Sequence, residues 1–213
     1  QKNGDIVGID WGLNSFVTLS NGEKVEAPKP YVRAEKRLKR LQRQWQRKEK
    51  GSNNRKKLTK IISKAHFNVA QIRKDFLDKL STRLTKRYSC IVIEDLNMAG
   101  MVKNKHLSKA IQDSGAGKFF EQLEYKGAWY GCEIIKADRW YPSSQTCSEC
   151  RLVLQGDQKL QLHDRTFKCP ECGFECDRDL NAAKNLESLG RGRFPRIYAP
   201  GESLSRAVSV DAT

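Results

Sequence analysis

The spacing of apolar residues changes period several times along the chain, and each change marks an element. The run DIVGID at 5–10 is short and apolar, 14–20 and 23–26 are further extended stretches, and Asn21-Gly22 between them is the strongest short hairpin signal. From Tyr31 to Glu49 the period becomes helical. No Gly or Pro interrupts it, and Leu38, Leu41 and Trp45 recur at spacings of three and four. Lys50-Gly51-Ser52-Asn53-Asn54 breaks the pattern, which resumes from Arg55 to Arg87 through Leu58, Ile62, Ala65, Val69, Ile72, Phe76, Leu80 and Leu84. At roughly 1.5 Å per residue this second helix reaches about 50 Å, and the two rods are expected to pack as an antiparallel hairpin.

Beyond the rods, Tyr88–Glu94 (YSCIVIE) is a continuous β-branched run, the mark of a central strand covered on both faces. Residues 117–130 are predicted helical, 131–137 extended, and Leu180–Leu189 forms the last helix. The succession of β-hairpin, helical insertion, β, α and β predicts an α/β fold: a mixed sheet with helices packed on it.

Charge sharpens this picture. Residues 31–87 carry 20 Lys and Arg against 4 acids, so the net +15 of the 213-residue chain resides in the helical hairpin. A solvated face would mix its signs, whereas this excess repels itself and is relieved by a phosphate backbone. Arg37, Arg40, Arg43, Arg47, Lys56 and Lys57 are the candidate nucleic-acid contacts, and His66 and His106, set among basic residues, are assigned solvated or phosphate-facing roles. The sequence shows no apolar signal segment and no run long enough to span a membrane, so a cytoplasmic location with no membrane partner is expected.

Cys147, Cys150, Cys169 and Cys172 form two CxxC turns separated by 18 residues. Each turn offers two thiolates to one tetrahedral Zn²⁺, at about 2.3 Å per Zn–S bond, with no position left open for chemistry. Two disulfides are the alternative, disfavoured in a chain without an export signal. Cys176 is a spare thiol, His163 a possible substitute ligand that the four thiolates make unnecessary, and Cys90 and Cys132 are buried strand residues with packing roles.

Acids stand at the ends of two predicted strands: Asp10 closes GID and Glu94 closes IVIE. A carboxylate at the end of a buried strand is costly unless it faces a cleft and binds a cation. Asp179, seven residues after Cys172, opens the last helix, where its charge suits the helix dipole. Three such acids can chelate two Mg²⁺ ions about 3.5–4 Å apart for phosphodiester hydrolysis.

Together these segments resemble the nuclease half of the TnpB family, transposon-encoded RNA-guided DNA endonucleases related to type V CRISPR effectors. The resemblance rests on GIDWGL at 8–13, KGSNNRKK at 50–57, AQIRKDFLDKLS at 70–81, IEDLN at 93–97, MVKNKHLSKAI at 101–111, LEYKGAWYG at 123–131, YPSSQTCSEC at 141–150, and CPECG with DRDLNAAKN at 169–185. It implies an RNase H-like (RuvC-like) domain carrying the long basic hairpin and interrupted by a zinc ribbon. The corresponding boundaries are 1–140 for the first part of the nuclease domain, with 31–87 as the hairpin insertion, 141–176 for the ribbon, 177–190 for the last helix, and 191–213 for a flexible tail. By motif position the family's catalytic acids fall on Asp10, Glu94 and Asp179, with Asp177 ranked second to Asp179. The 97–117 loop is similar to the mobile segment that covers the family's cleft.

The resemblance also implies DNA as substrate, one structural zinc, two catalytic Mg²⁺, and a prokaryotic, nucleoid-associated location when bound to DNA. Full-length members carry an N-terminal module that binds guide RNA and reads the target-flanking motif, whereas this chain begins almost at the first catalytic strand. A guide RNA is therefore expected for the full-length parent. The chain is then a piece of a longer protein, a naturally shortened product or a decayed copy. The alternative function is a catalytically silent zinc-ribbon module that binds guide RNA or DNA.

Overall fold

The structure, a computed structural model, describes residues 5–161 and 163–192. The flexible tail expected at 191–213 lies almost wholly outside the described residues. Five strands form a mixed sheet in the order β3-β2-β1-β4-β5. They are β1 (Ile6–Trp11), β2 (Val17–Leu19), β3 (Lys24–Val25), β4 (Cys90–Glu94) and β5 (Glu133–Ala137). The first three make the antiparallel meander, with Gly22 at φ 90° in its turn, where a left-handed backbone favours glycine. Strands β1, β4 and β5 run parallel, in the register Ile9↔Ile93 and Ile93↔Lys136. The run CIVIE is central, as its unbroken hydrophobicity predicts.

Helices cover both faces. On one, Val7, Ile9, Trp11, Ile91 and Ile93 meet Leu77, Leu80 and Leu84 of α2 (Asn53–Arg87) and Phe119 and Leu123 of α5 (Ala116–Tyr130). On the other, Cys90 and Val92 meet Leu186 of α6 (Arg178–Gly190). Strand alternation therefore sends Gly8 and Asp10 of β1, and Val92 and Glu94 of β4, to the α6 face. Cys90 and Cys132 are buried, as their packing roles require.

The expected helical hairpin is present, built from α1 (Pro30–Gln46) and α2. Leu38 and Leu41 are buried, the Trp45 indole donates to Thr59 Oγ1 at 2.8 Å, and the Arg55 guanidinium lies 3.9 Å over the Trp45 ring. Ser52 caps α2 by accepting the Arg55 N–H at 3.3 Å. The seam of α2 departs from the periodic expectation at one turn: Ile72 is 51% exposed. Arg73 turns inward there, and its Nη2 donates to Asp113 Oδ1 at 2.9 Å. Asp113, buried at the end of α4 (Ser108–Ser114), also accepts the Tyr31 and Val32 N–H groups, and so caps α1 from a distance.

The 97–117 segment is likewise more ordered than its composition suggests. It contains α3 (Met98–Val102), capped by Asn97 through the Gly100 N–H, and α4, anchored by buried Ile111 and Asp113. The last helix begins two residues earlier than its apolar period indicates. Asp177 Oδ1 accepts the Leu180 N–H at 3.1 Å and sets the start at Arg178. Between β5 and α6 the cysteine-bearing segment forms a small separate core of Cys147, Leu154, Phe167 and Cys169, with a two-stranded sheet of β6 (Thr166–Lys168) and β7 (Glu175–Asp177). Among the described residues no helix is long and apolar enough to cross a membrane.

Candidate functional site

The close approach of α6 to β1 organises the site. A Cβ on Gly8 would fall 2.0 Å from the Ala183 carbonyl oxygen and 2.5 Å from the Glu187 nitrogen, so only glycine lets the helix lie so near the strand. Further along α6, a Cβ on Gly190 would meet Val92 and Ile6. The helix thus runs back along β1, with its C-terminal end near Ile6, its middle over Gly8 and its first turn beside Asp10. Asp179 stands in that first turn.

Glu94 lies one step beyond the last register pair, Ile9↔Ile93, on the same face as Asp10. Neighbouring strands are about 4.8 Å apart, so the two carboxylates are adjacent. Burial raises the Asp10 carboxyl well above the usual carboxylate range; the negative charges of Glu94 and Asp179 add to the effect, and Arg178 offsets part of it. Burial also raises Glu94, against the Ser143 hydroxyl, which donates to Glu94 Oε1 at 2.5 Å. The fold therefore sets Glu94 and Asp179 near enough to the buried Asp10 for their negative charges to oppose its ionisation. A hard divalent cation with oxygen ligands fits that donor set.

Asp177 is otherwise employed. Its Oδ2 meets Lys24 Nζ at 2.8 Å while its Oδ1 caps α6. Burial works to raise its carboxyl, but the Lys24 ammonium and the backbone N–H of Leu180 outweigh that and leave it lowered. Arg178 Nε lies 3.7 Å from Asp179 Oδ1.

Cys147, Cys150, Cys169 and Cys172 converge with all four sulfur atoms within 4.8 Å of one another. The Cys147–Cys172 and Cys150–Cys169 separations are 3.7 and 3.4 Å, near the roughly 3.8 Å edge of a tetrahedron with 2.3 Å bonds. The two turns repeat each other. Cys147 N–H donates to Leu152 O and Cys169 N–H to Phe174 O, each at 2.8 Å, and the residue after each second cysteine is left-handed: Arg151 at φ 69° and Gly173 at φ 71°. Burial works to raise the Cys169 thiol, yet the N–H groups of Cys172 and Glu171 bring it down to about 7. Cys150 accepts the Leu152 N–H, but burial and the adjoining thiols push it up to about 12. Such a cluster discharges fully only around a cation. Cys176 stands outside the set and contacts its neighbour's carbonyl, Asp177 O, at 3.3 Å. His163 is exposed and lies 3.5 Å from Asp164.

The candidate nucleic-acid contacts Arg37, Arg40, Arg43, Arg47, Lys56 and Lys57 are all exposed on the hairpin. Arg33, Lys36, Arg37, Lys39, Arg40 and Arg43 line one open groove of about 630 Å³, and Arg47, Lys48 and Lys57 share a second with Leu58 and Ile61. Sequence reasoning missed Ser143, Arg178 and the buried pair Asn181 and Asn185. A four-residue spacing within NAAKN was the available signal for the asparagines; nothing but proximity reveals Ser143.

Residues 1–105 match the family model OrfB_IS605, described as "Probable transposase", and residues 117–186 match "Cas12f1-like, TNB domain". The chain is 46% identical over 184 residues to a Streptomyces pristinaespiralis protein named "Putative RNA-guided DNA endonuclease", an alignment covering 86% of this chain and 45% of that protein. It is 32% identical over 212 residues to "Putative RNA-guided DNA endonuclease InsQ" of Escherichia coli, covering 92% of this chain and 51% of that one. The chain thus spans about half the length of these relatives. Its fold is similar to that of the protein in a Cas12f1-sgRNA-target DNA complex, with a TM-score of 0.59 at 19% identity over 85% of this chain and 49% of the other. With one family model over its first half and another over most of the remainder, the chain belongs to the TnpB (OrfB/IS605) family and carries a Cas12f-like TNB domain with its cysteine cluster.

Proposed function

We propose that the chain is a Mg²⁺-dependent DNA endonuclease domain of RNase H-like (RuvC-like) fold in which Asp10, Glu94 and Asp179 are the catalytic carboxylates. The nuclease domain comprises 1–140 and 177–190, with the basic hairpin at 31–87 and a ribbon at 141–176 that holds one zinc through Cys147, Cys150, Cys169 and Cys172. The observation that carries this reading is the convergence of three carboxylates, from β1, β4 and the first turn of α6, where burial and mutual repulsion raise Asp10. Such an arrangement destabilises a fold unless it binds cations. Two Mg²⁺ ions, when bound, supply an activated water and charge neutralisation at the leaving oxygen of a phosphodiester.

The chain's own groups do the rest. Ser143 fixes the Glu94 carboxylate, Arg178 stands beside Asp179, and the exposed arginines of α1 with Lys56 and Lys57 hold a phosphate backbone. RNA guidance is supported by the relatives' names and by the guide-bound complex, of whose lengths this chain spans about half. The test is cleavage of single-stranded DNA with Mg²⁺. Asp10→Asn, Glu94→Gln and Asp179→Asn should each abolish it while leaving DNA binding intact. Cleavage at the parent rate in all three would point to a contaminating nuclease, and absence of Mg²⁺-dependent cleavage by the unmutated chain would leave it a binding module.

A further inference from the structure

The cysteine ribbon and the acid cluster are joined by a hydrogen-bonded path that uses neither a thiol nor a metal ligand until its last step. Asn181 and Asn185 stand one turn apart on α6, both with no exposed surface. Asn181 Nδ2 donates to Thr146 O at 2.6 Å, and its Oδ1 accepts the Ser148 N–H at 3.0 Å, so it grips the backbone on both sides of Cys147. Asn185 Nδ2 donates to Thr146 O at 2.6 Å and to Ser143 O at 2.8 Å. Ser143 in turn donates its hydroxyl to Glu94. The Ser143 N–H meets Tyr141 O at 2.8 Å, and the Tyr141 hydroxyl reaches back to Asn185 O at 3.4 Å, which closes the loop around Asn185. Asn185 Oδ1 is buried without a hydrogen-bond partner, so the residue serves here as a donor to two carbonyls.

We infer that Asn185, with Asn181 steadying the same turn, is a positioning residue that sets Glu94 through Ser143. This rests on the three-carboxylate reading above and gives it a cause. The helix that carries Asp179 also fixes the turn whose Ser143 hydroxyl holds Glu94, so two acids from distant parts of the chain are registered by one rigid element. Apolar packing alone would hold α6 against the sheet. It would not select one rotamer for Glu94, which a directional bond from a backbone-anchored hydroxyl does.

Mn²⁺ binding to the whole chain, followed by electron paramagnetic resonance, tests the relay without relying on turnover, with zinc content measured in each preparation. Ser143→Ala should weaken Mn²⁺ binding about 10- to 100-fold, the scale of one lost charge-assisted hydrogen bond to a ligating carboxylate. Asn185→Ala should weaken it similarly while zinc stays at one per chain. Because Asn185 acts through Ser143, the double variant should be no weaker than Ser143→Ala alone. Asn185→Ser, smaller but still a donor, provides a second variant should Asn185→Ala fail to fold, and should recover part of the affinity. Unchanged Mn²⁺ affinity in the folded Asn185 variants, or fold-losses that multiply in the double variant, overturns the relay alone. A parent chain that takes up no Mn²⁺ overturns the three-carboxylate reading and the relay with it.

Discussion

Replacing Gly8 with alanine perturbs the site at its joint. The new methyl would fall 2.0 Å from Ala183 O and 2.5 Å from Glu187 N. Both are helix backbone atoms, so no side chain can swing aside. To restore the 3.4 Å of ordinary contact, α6 must withdraw by about 1.4 Å. Overpacking of this kind costs about 1–3 kcal/mol, toward the upper end where backbone is the obstacle. The functional effect should be larger, because the withdrawal carries Asp179 away from Asp10 and Glu94. A displacement near 1 Å in a reacting geometry lowers a rate by roughly 10²-fold. Urea unfolding and Mg²⁺-dependent cleavage at saturating DNA measure the two effects separately. Gly190→Ala is the control, since its methyl meets a Val92 methyl at 2.5 Å at the far end of α6. It should lose stability but keep its cleavage rate within a few-fold. Parent stability and parent rate in Gly8→Ala would refute the idea that this close approach sets the site.

Three further outcomes follow from the same geometry. Because the Asp10 carboxyl is raised in the fold, its ionisation opposes folding at neutral pH; the penalty begins above the usual carboxylate range, is complete once pH exceeds the raised value, and vanishes in acid. Asp10→Asn should therefore raise the melting temperature of the Mg²⁺-free protein at pH 7, and added Mg²⁺ should stabilise the parent more than the variant, as differential scanning calorimetry would show. Charge reversal at Arg37, Arg40, Arg43 and Arg47 should flatten the salt dependence of single-stranded DNA binding by about 3 in log–log slope, and an unchanged slope would move the binding surface off α1. Cys169→Ser should release the zinc and expose 141–176 to hydrogen exchange while strands β1, β4 and β5 stay protected; a ribbon protected without zinc would refute the metal's role.

The parts of this fold visible in the sequence are those governed by short-range pattern. The unbroken CIVIE run announced a central strand, Asn21-Gly22 a hairpin, and the CxxC pairs a convergent thiol cluster. What escaped depends on partners distant in sequence. Ile72 fits the helical period but yields its inward place to Arg73, because Asp113 comes from 40 residues away. Residues 97–117 read as a loop because two short helices there are held by caps and by contacts to α1. Asp10 and Glu94 could be named from strand ends, yet their adjacency required the parallel pairing of β1 with β4. Ser143 carries no periodic signal, and the four-residue spacing of Asn181 and Asn185 names no partner until the helix is packed.

The two cysteine turns are copies in backbone but unequal in intrinsic ease. Gly173 takes its left-handed conformation freely, whereas Arg151 takes it at roughly 1 kcal/mol or more. The second turn is thus favoured over the first by about that amount, roughly five-fold in population, before any ion binds. On the proposed zinc ribbon, Cys169 and Cys172 would then meet the ion first and Cys147 and Cys150 would close over it, a step that would draw in Thr146 and Ser143, whose carbonyls Asn185 holds. On this order, loading of the ribbon would be the event that finishes the cleft.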